Sequence, residues 1–456
     1  MRIIILGSNQ VSQTLAENLA NEENDVTLID TDAEKLKELQ NRYDLSTVVG
    51  YGSYPDILEK AHALDTEMLL AVSDNDEMNM LACQVAYSLF HIPMKIARVR
   101  AKNYLVNPEF FQNESLPVDV IISPEQLMTD QIGLIINYPG ALRVYDFHDG
   151  IKLTAVKAFY GGGVVGKYIS DIKNELIRRN IGIAGIYRLN KFIPVMDSTM
   201  IEVNDKVYFL CHESQITSSI TMFRKVENNN HRIIIAGGGN IGSRLAEKLE
   251  KKYAVKVIER NKKTAEKLSI ELDKSIVLYG DASDKELLMD ECIDNTDVFC
   301  ALTNDNDANI MSCLQAKQLG ARQVVALVTN TSYLDIIEDS KIDIVISPQD
   351  TTTSDILTHV RRGDVVKVHT LMRGQSEIIE LVVHGDEATS NLVGKDSSFL
   401  SFKGNVNVCG VVRDKKLVIP DDTFTFLAKD KIILFINDKK YIKQIESKFQ
   451  VKIGFL

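Results

Sequence analysis

The stretch 231–260, HRIIIAGGGNIGSRLAEKLEKKYAVKVIER, admits very few folds. Ile233 to Ile235 make a short apolar run of strand length, and Gly237, Gly239 and Gly242 follow as G-x-G-x-x-G. Leu245, Ala246 and Leu249 then recur at helical spacing, and Ala254 to Ile258 is a second apolar run that ends at Glu259. Each glycine has its own task in such a strand–loop–helix unit. Gly237 permits a tight turn, Gly239 lets a pyrophosphate approach bare backbone, and Gly242 allows the helix to pack closely on the strand. The helix N-terminus faces the anion. Glu259, about 20 residues on, can accept hydrogen bonds from an adenosine ribose. A glycine triplet alone is a weak signal. With both strands, the amphipathic helix and the terminal acid, it predicts a dinucleotide-binding unit.

The unit occurs twice. RIIILGSNQVSQTLAENL (2–19) lines up with RIIIAGGGNIGSRLAEKL (232–249), and VVGYGSYPDIL (48–58) with IVLYGDASDKEL (276–287). AVSDNDEMNM (71–80) meets ALTNDNDANI (301–310), VDVIISPEQ (118–126) meets IDIVISPQD (342–350), and VVGK (164–167) meets LVGK (392–395). The chain is therefore an internal duplication. Each half opens with apolar strands alternating with helical segments, as a parallel sheet with crossover helices requires. After Ser123-Pro124 and Ser347-Pro348 one more helix leads into a strand-rich unit. In the first half its strands include Ile183 to Tyr187, Phe192 to Pro194 and Lys206 to Leu210, with a helix over Tyr168 to Arg179. The predicted fold class is α/β: two Rossmann-like, doubly wound parallel-sheet domains at 1–140 and 231–365. A small α+β domain follows each, at 141–225 and 366–456, and the polar run Glu227 to Asn230 links the halves.

Composition narrows the partners. Lys and Arg number 52 against 63 Asp and Glu, a net charge of −11 that argues against nucleic acid and against attachment to anionic lipid. The apolar runs are strand-sized, far short of the ~20 residues of a membrane-spanning helix. No direct lipid insertion is expected. Met1 to Leu6 ends its apolar run at Gly7 and reads as a buried first strand, not a signal peptide. Cys83, Cys211, Cys292, Cys300, Cys313 and Cys409 are scattered without a C-x-x-C pair, which predicts reduced thiols. The eight histidines are dispersed too, so no metal site is expected.

The first loop, Gly7-Ser8-Asn9-Gln10-Val11-Ser12, keeps one glycine of three. Asn tolerates left-handed backbone better than most residues, yet its side chain crowds the place where a pyrophosphate meets the chain. Ser12 adds a Cβ and a hydroxyl at the close strand–helix contact. Asp30 nevertheless ends the second strand as Glu259 does. Two readings stand side by side: a purely structural copy, or a site that still binds an adenine nucleotide weakly or in an altered pose. Further candidates sit at strand ends. In Gly280-Asp281-Ala282 the Asp can accept from an adenine amino group, and Gly52-Ser53-Tyr54 is its apparent counterpart. Ser73-Asp74 and Thr303-Asn304 follow the fourth strands, where ligands collect in open α/β sheets. Arg98 either reaches a phosphate or pairs with a neighbouring acid. Its equivalent is Leu327, so the two pockets should differ in phosphate preference. Carboxylates at Asp30 and Glu259 repel a 2′-phosphate, which predicts NAD(H) over NADP(H), although Arg260 works against that repulsion.

GGGNIGSRLAEKLE, VKVIERN, YGDASDKELL, ALTNDNDANIMS and IDIVISPQ, with HGDEATSNLVGK and AFYGGGVVG, resemble the TrkA family over essentially the whole chain. Its members are cytosolic regulatory subunits with tandem RCK (regulator of potassium conductance) units. The resemblance implies binding of NAD(H), with ATP or ADP as further ligands. It also implies a homo-oligomeric ring, a tetramer, attached peripherally to the inner face of the plasma membrane through a Trk-type potassium-translocating subunit. On the same ground Gly7, Ser8, Asn9, Gln10, Val11, Asp30, Ser73, Asp74 and Arg98 fall on a first nucleotide site. Gly237, Gly238, Gly239, Asn240, Ile241, Glu259, Gly280 and Asp281 fall on a second. Relatives usually carry G-x-G-x-x-G in the first loop, where this chain has Asn9 and Ser12. The competing readings are an NAD-dependent dehydrogenase and a nucleotide-sensing module of another cation transporter. A dehydrogenase usually adds a substantial substrate domain with a positioned acid or base. Here each copy is followed by a small module and no His-Asp pair stands out, so no enzymatic activity is expected.

Overall fold

Six apolar runs in each half form a parallel sheet. The computed structural model describes residues 1–22, 24–112, 114–225, 231–337, 340–360, 365–372, 376–402, 404–421 and 423–451. The first sheet contains β1 (Arg2–Leu6), β2 (Asp25–Asp30), β3 (Ser46–Val49), β4 (Met68–Ala71), β5 (Met94–Arg98) and β6 (Val120–Ile122), in the order β3-β2-β1-β4-β5-β6. Between them lie β7 (Ala141–Asp146), β8 (Ile151–Lys157), β9 (Gly182–Arg188), β10 (Lys191–Ile193) and β11 (Lys206–His212), an antiparallel sheet ordered β10-β9-β11-β8-β7. The second parallel sheet contains β12 (Arg232–Ala236), β13 (Ala254–Glu259), β14 (Ile276–Tyr279), β15 (Val298–Ala301), β16 (Gln323–Leu327) and β17 (Ile344–Ile346). Its order, β14-β13-β12-β15-β16-β17, repeats the first. A second antiparallel sheet, ordered β18-β19-β22-β20-β21, closes the chain: β18 (Val365–Leu371), β19 (Ser376–Val382), β20 (Val406–Arg413), β21 (Lys416–Val418) and β22 (Lys431–Ile436).

The doubly wound α/β architecture expected from the repeats is present twice. Runs such as Ile3-Ile4-Ile5-Leu6 are apolar at every position and fully buried, because helices cover both faces of a parallel sheet. Strand order reverses between β1 and β4, and again between β12 and β15, which opens a crevice at the carboxyl ends of those strands. The helix expected over Tyr168 to Arg179 runs Ile169–Arg179, with Tyr168 as its N-cap. The linker Glu227 to Asn230 lies outside the described residues. No helix among the described residues is long and apolar enough to cross a membrane.

The chain divides into two compact units, Met1–Leu127 with Gln349–Val360, and Met128–Pro348 with Arg361–Leu456. The first unit takes its closing helix from the far half. Ile356, Leu357 and Val360, from the helix Pro348–Val360, sit in one core with Leu15, Leu28 and Leu70. The second unit does the reverse. Met128, Ile132, Ile135 and Ile136, from the helix Pro124–Asn137, pack with Ile235, Leu245, Val257 and Val325. Lys248 Nζ to Asp130 Oδ1 at 2.6 Å and Tyr253 O–H to Asn137 Oδ1 at 2.7 Å fix that helix on the second sheet. Within the same unit the two antiparallel sheets share a core containing Phe147, Tyr187, Ile378 and Phe435.

Candidate functional site

In the second half β12 runs into Gly237, whose φ of 104° favours glycine. A Cβ on Gly242 would lie 1.9 Å from the Gly237 carbonyl oxygen, so the contact between helix and loop admits no side chain. Gly239 differs: a Cβ there would meet nothing within 4 Å. Gly239 is the N-cap of the helix Asn240–Leu249, and no side chain caps that helix. The first-turn amides, which have no partner within a helix, therefore face an open slot. Glu259 braces this loop. Its Oε2 accepts from Gly238 N at 2.7 Å and its Oε1 from Asn261 N at 2.7 Å. Gly238 has no room for a side chain either, with Leu268 Cδ1 2.3 Å from a built Cβ.

The first loop has the same backbone path and a filled slot. Asn9 is the N-cap of the helix Gln10–Asn21, with φ −71° and ψ 175°. The position is extended and not left-handed, so tolerance of left-handed backbone plays no part in the choice of Asn. Its Oδ1 accepts from Ser12 N and Ser12 Oγ, both at 3.1 Å, and its Nδ2 donates to Val72 O at 2.7 Å. Asn9 thus occupies donors that an anion takes at a free helix N-terminus. Beside it a cleft of about 330 Å³ brings together Gly7, Ser8, Asn9, Asp30, Ser73 and Asp74. Lys35, which sequence reading missed, also lines it. Arg98 Nη1 donates to Asp74 Oδ1 at 2.8 Å, so this cation pairs with the neighbouring acid, and Arg100 donates to the Asp74 carbonyl. Gln10 is exposed, whereas Val11 and Ser53 are buried. Replacing Asn9 and Ser12 together by glycine is expected to tighten adenine-nucleotide binding at this loop by about tenfold, since the internal hydrogen bonds of the Asn9 side chain that compete for the loop disappear. Calorimetric titration checks this, and an unchanged affinity would remove Asn9 as the limitation.

Two buried asparagines hold the strand ends, and sequence reading missed both. Asn79 Oδ1 accepts from Ser73 N at 3.0 Å and Ser73 Oγ at 2.6 Å, while its Nδ2 donates to Ser73 O and Arg98 O, each at 3.0 Å. Asn309 repeats the pattern with Thr303 N at 2.9 Å, Thr303 Oγ1 at 2.7 Å, Thr303 O at 2.8 Å and Leu327 O at 2.8 Å. The available signal was an Asn at matching places in AVSDNDEMNM and ALTNDNDANI, on a helix face that should be apolar. The same bonds confirm that Arg98 and Leu327 are equivalent.

One correspondence read from the sequence is corrected by the strand register. Gly280 N donates to Glu259 O at 3.1 Å, and Gly50 N donates to Asp30 O at 2.9 Å. The counterpart of Gly280-Asp281-Ala282 is therefore Gly50-Tyr51-Gly52, not Gly52-Ser53-Tyr54. A Tyr-Gly dipeptide in both halves pulled the alignment two residues out of place. Asp281 accepts from Ser283 N at 2.8 Å and Ser283 Oγ at 2.7 Å. Those bonds, with Arg260 nearby, hold its carboxyl below the usual carboxylate range, so it stays ionised within its own turn.

The TrkA-N domain model matches residues 3–124 and 233–348, the two stretches that build the parallel sheets. The chain is 46% identical over 456 residues to the Trk system potassium uptake protein TrkA of Halomonas elongata, covering 100% of both. Among solved structures it is similar to the GsuK RCK domain at 17% identity, with TM-score 0.60 over 98% of this chain and 95% of that one. It is also similar to the GsuK channel bound to NAD at 17% identity, with TM-score 0.61 over 98% of this chain and 78% of that one. These last two likenesses speak for the fold. With both repeats matched and a full-length relative at that identity, the chain belongs to the TrkA family.

Proposed function

We propose that the chain is the cytosolic regulatory subunit of a Trk-type potassium uptake system, sensing NAD(H) at its second glycine loop and ATP or ADP at its first. The observation that carries this reading is the open slot at Gly239, in front of an uncapped helix N-terminus and backed by the Glu259 carboxylate. The amides of Gly238 to Ile241 would hold the pyrophosphate, and Glu259 would take the adenosine ribose hydroxyls. NAD(H) acts here as a signal, not as a hydride carrier, and the chain has no enzymatic role. The Halomonas relative carries the name of a potassium uptake protein, and the GsuK neighbour is described as a channel bound to NAD. Both names agree with this reading. The four modules proposed are 1–140, 141–225, 231–365 and 366–456, assembled as a homotetrameric ring beneath the membrane subunit.

The coupling follows from the second unit. The helix Asn240–Leu249 starts at the slot and carries Lys248, which grips Asp130 on the helix Pro124–Asn137. That helix leads into β7, the first strand of the antiparallel sheet. A ligand that draws the glycine loop inward shifts this chain of elements. It biases the pore only by its differential affinity for the two ring geometries. Potassium flux through the assembled system should lose its NADH response in Glu259→Ala, and an intact response overturns the reading. Glu259→Gln makes a finer test: removing the charge while Arg260 remains should cut the preference for NADH over NADPH by about tenfold. Competition titration measures that ratio, and no change would contradict the assigned role of the carboxylate.

A further inference from the structure

We propose that Tyr51 and Tyr54 form an aromatic wall that stacks the base of an adenine mononucleotide at the first site. This rests on the reading that the first domain still binds a nucleotide. It names the residues that grip the ligand once the anion slot is closed by Asn9.

The strand register sets Tyr51 at the place of Asp281, as shown above. The helices that follow, Pro55–Lys60 and Lys285–Asp290, set Tyr54 at the place of Asp284. In the second half Asp284 caps its helix, accepting from Glu286 N at 2.9 Å. Tyr54 makes no side-chain cap, and Pro55 supplies no N–H at the first helical position. Two carboxylates of the second half are thus two aromatic rings in the first, and capping does not explain the exchange. The ring centroids lie 5.3 Å apart with their planes tilted by 41°, and each residue is 54% exposed. Burial in the core does not explain them either.

The loop that carries them is stiff. Gly50 N is bonded to Asp30 O, and Tyr54 N to Tyr51 O at 2.9 Å. A Cβ on Gly52 would lie 2.6 Å from Leu6 Cδ2, so the loop is pressed onto the last residue of β1, immediately before Gly7. Tyr51 therefore stands one residue, and Tyr54 four residues, beyond the backbone bond that ties this loop to Asp30, the ribose-side acid of the cleft. A rigid aromatic surface loses little conformational freedom on binding. Two carboxylates of the second half are absent from this turn, and the neighbouring cleft is lined by Lys35 together with Asp30 and Asp74. The first site grips the base, where the second grips the diphosphate.

The test is titration of the full chain with ATP after saturation with NADH, which fills the second site. Base–aromatic stacking at typical strength predicts that Tyr51→Ala weakens ATP about tenfold, while Tyr51→Phe keeps the affinity and NADH binding is unchanged in both. The chain has no Trp, so quenching of tyrosine emission on ATP binding should shrink in Tyr51→Phe. Equal ATP affinity in wild type and Tyr51→Ala would overturn the aromatic wall and leave the first-site reading standing. Absence of ATP binding to NADH-saturated wild type would overturn that reading itself. A change in oligomer mass in Tyr51→Ala, with ATP affinity untouched, would make the rings a subunit contact and also overturn the proposal.

Discussion

Gly239→Asn is expected to weaken NADH binding by at least about a hundredfold, roughly 2.7 kcal/mol, while raising the thermal stability of the second unit. The two effects separate because the substitution copies a geometry present in the first half. Gly239 has φ −69° and ψ −168°, nearly the backbone of Asn9 at φ −71° and ψ 175°. A Cβ at Gly239 meets nothing within 4 Å, so the new side chain enters without a clash. It can then accept from the Gly242 amide as Asn9 accepts from Ser12 N. An N-cap of this kind stabilises a helix by about 1 kcal/mol. The same bond fills the slot in which a pyrophosphate would sit. Titration with NADH and a thermal melt on the same sample check both halves of the prediction. Retained NADH affinity would show that the diphosphate does not use this slot.

Asn309→Ala should be the most destabilising single change near the second site, by about 3 kcal/mol. Asn309 is buried and makes four hydrogen bonds from one side chain. Truncation leaves the Thr303 amide and two carbonyls without these partners, and each buried unsatisfied group costs roughly 1–3 kcal/mol. Relaxation and water entry recover part of that sum. The substitution also frees the turn at Thr303 that closes the loop side of the crevice. The two units need not unfold together, so one global unfolding energy is the wrong readout. Hydrogen exchange at the Thr303 amide is the direct one, with an expected acceleration of about a hundredfold. Unchanged protection would show that the turn holds without its asparagine.

Much of this architecture is legible in residue order, for a physical reason. A buried parallel strand must be apolar throughout and a phosphate loop must omit side chains, so Ile3 to Leu6 and Gly237 to Gly242 announce themselves. The difference between the two loops is readable from Asn9, a residue type that caps a helix where Gly239 leaves one uncapped. The exchange of helices was not readable. Periodicity in 124–137 reveals an apolar stripe, but Ile132 and Ile136 do not say which of two similar sheets they cover. The misplacement of Ser53 opposite Asp281 came from identity without register: the pairing of Asp30 with Val49 and of Glu259 with Tyr279 resolves it. Asn79 and Asn309 looked like ordinary polar residues because their partners are backbone atoms, which no pattern of side chains displays. Residue order leaves Arg98 between phosphate and acid, and only the fold brings Asp74 Oδ1 to 2.8 Å from it.

In the proposed function the two halves are specialised nucleotide sensors. The most direct test is calorimetric titration of the full chain with NADH, and separately with ATP and ADP, reading stoichiometry per chain in wild type and Glu259→Ala. One NADH site per chain that disappears in Glu259→Ala is expected, with adenine mononucleotides still bound in the variant. Two equivalent NADH sites, or an NADH isotherm unchanged by Glu259→Ala, would contradict it.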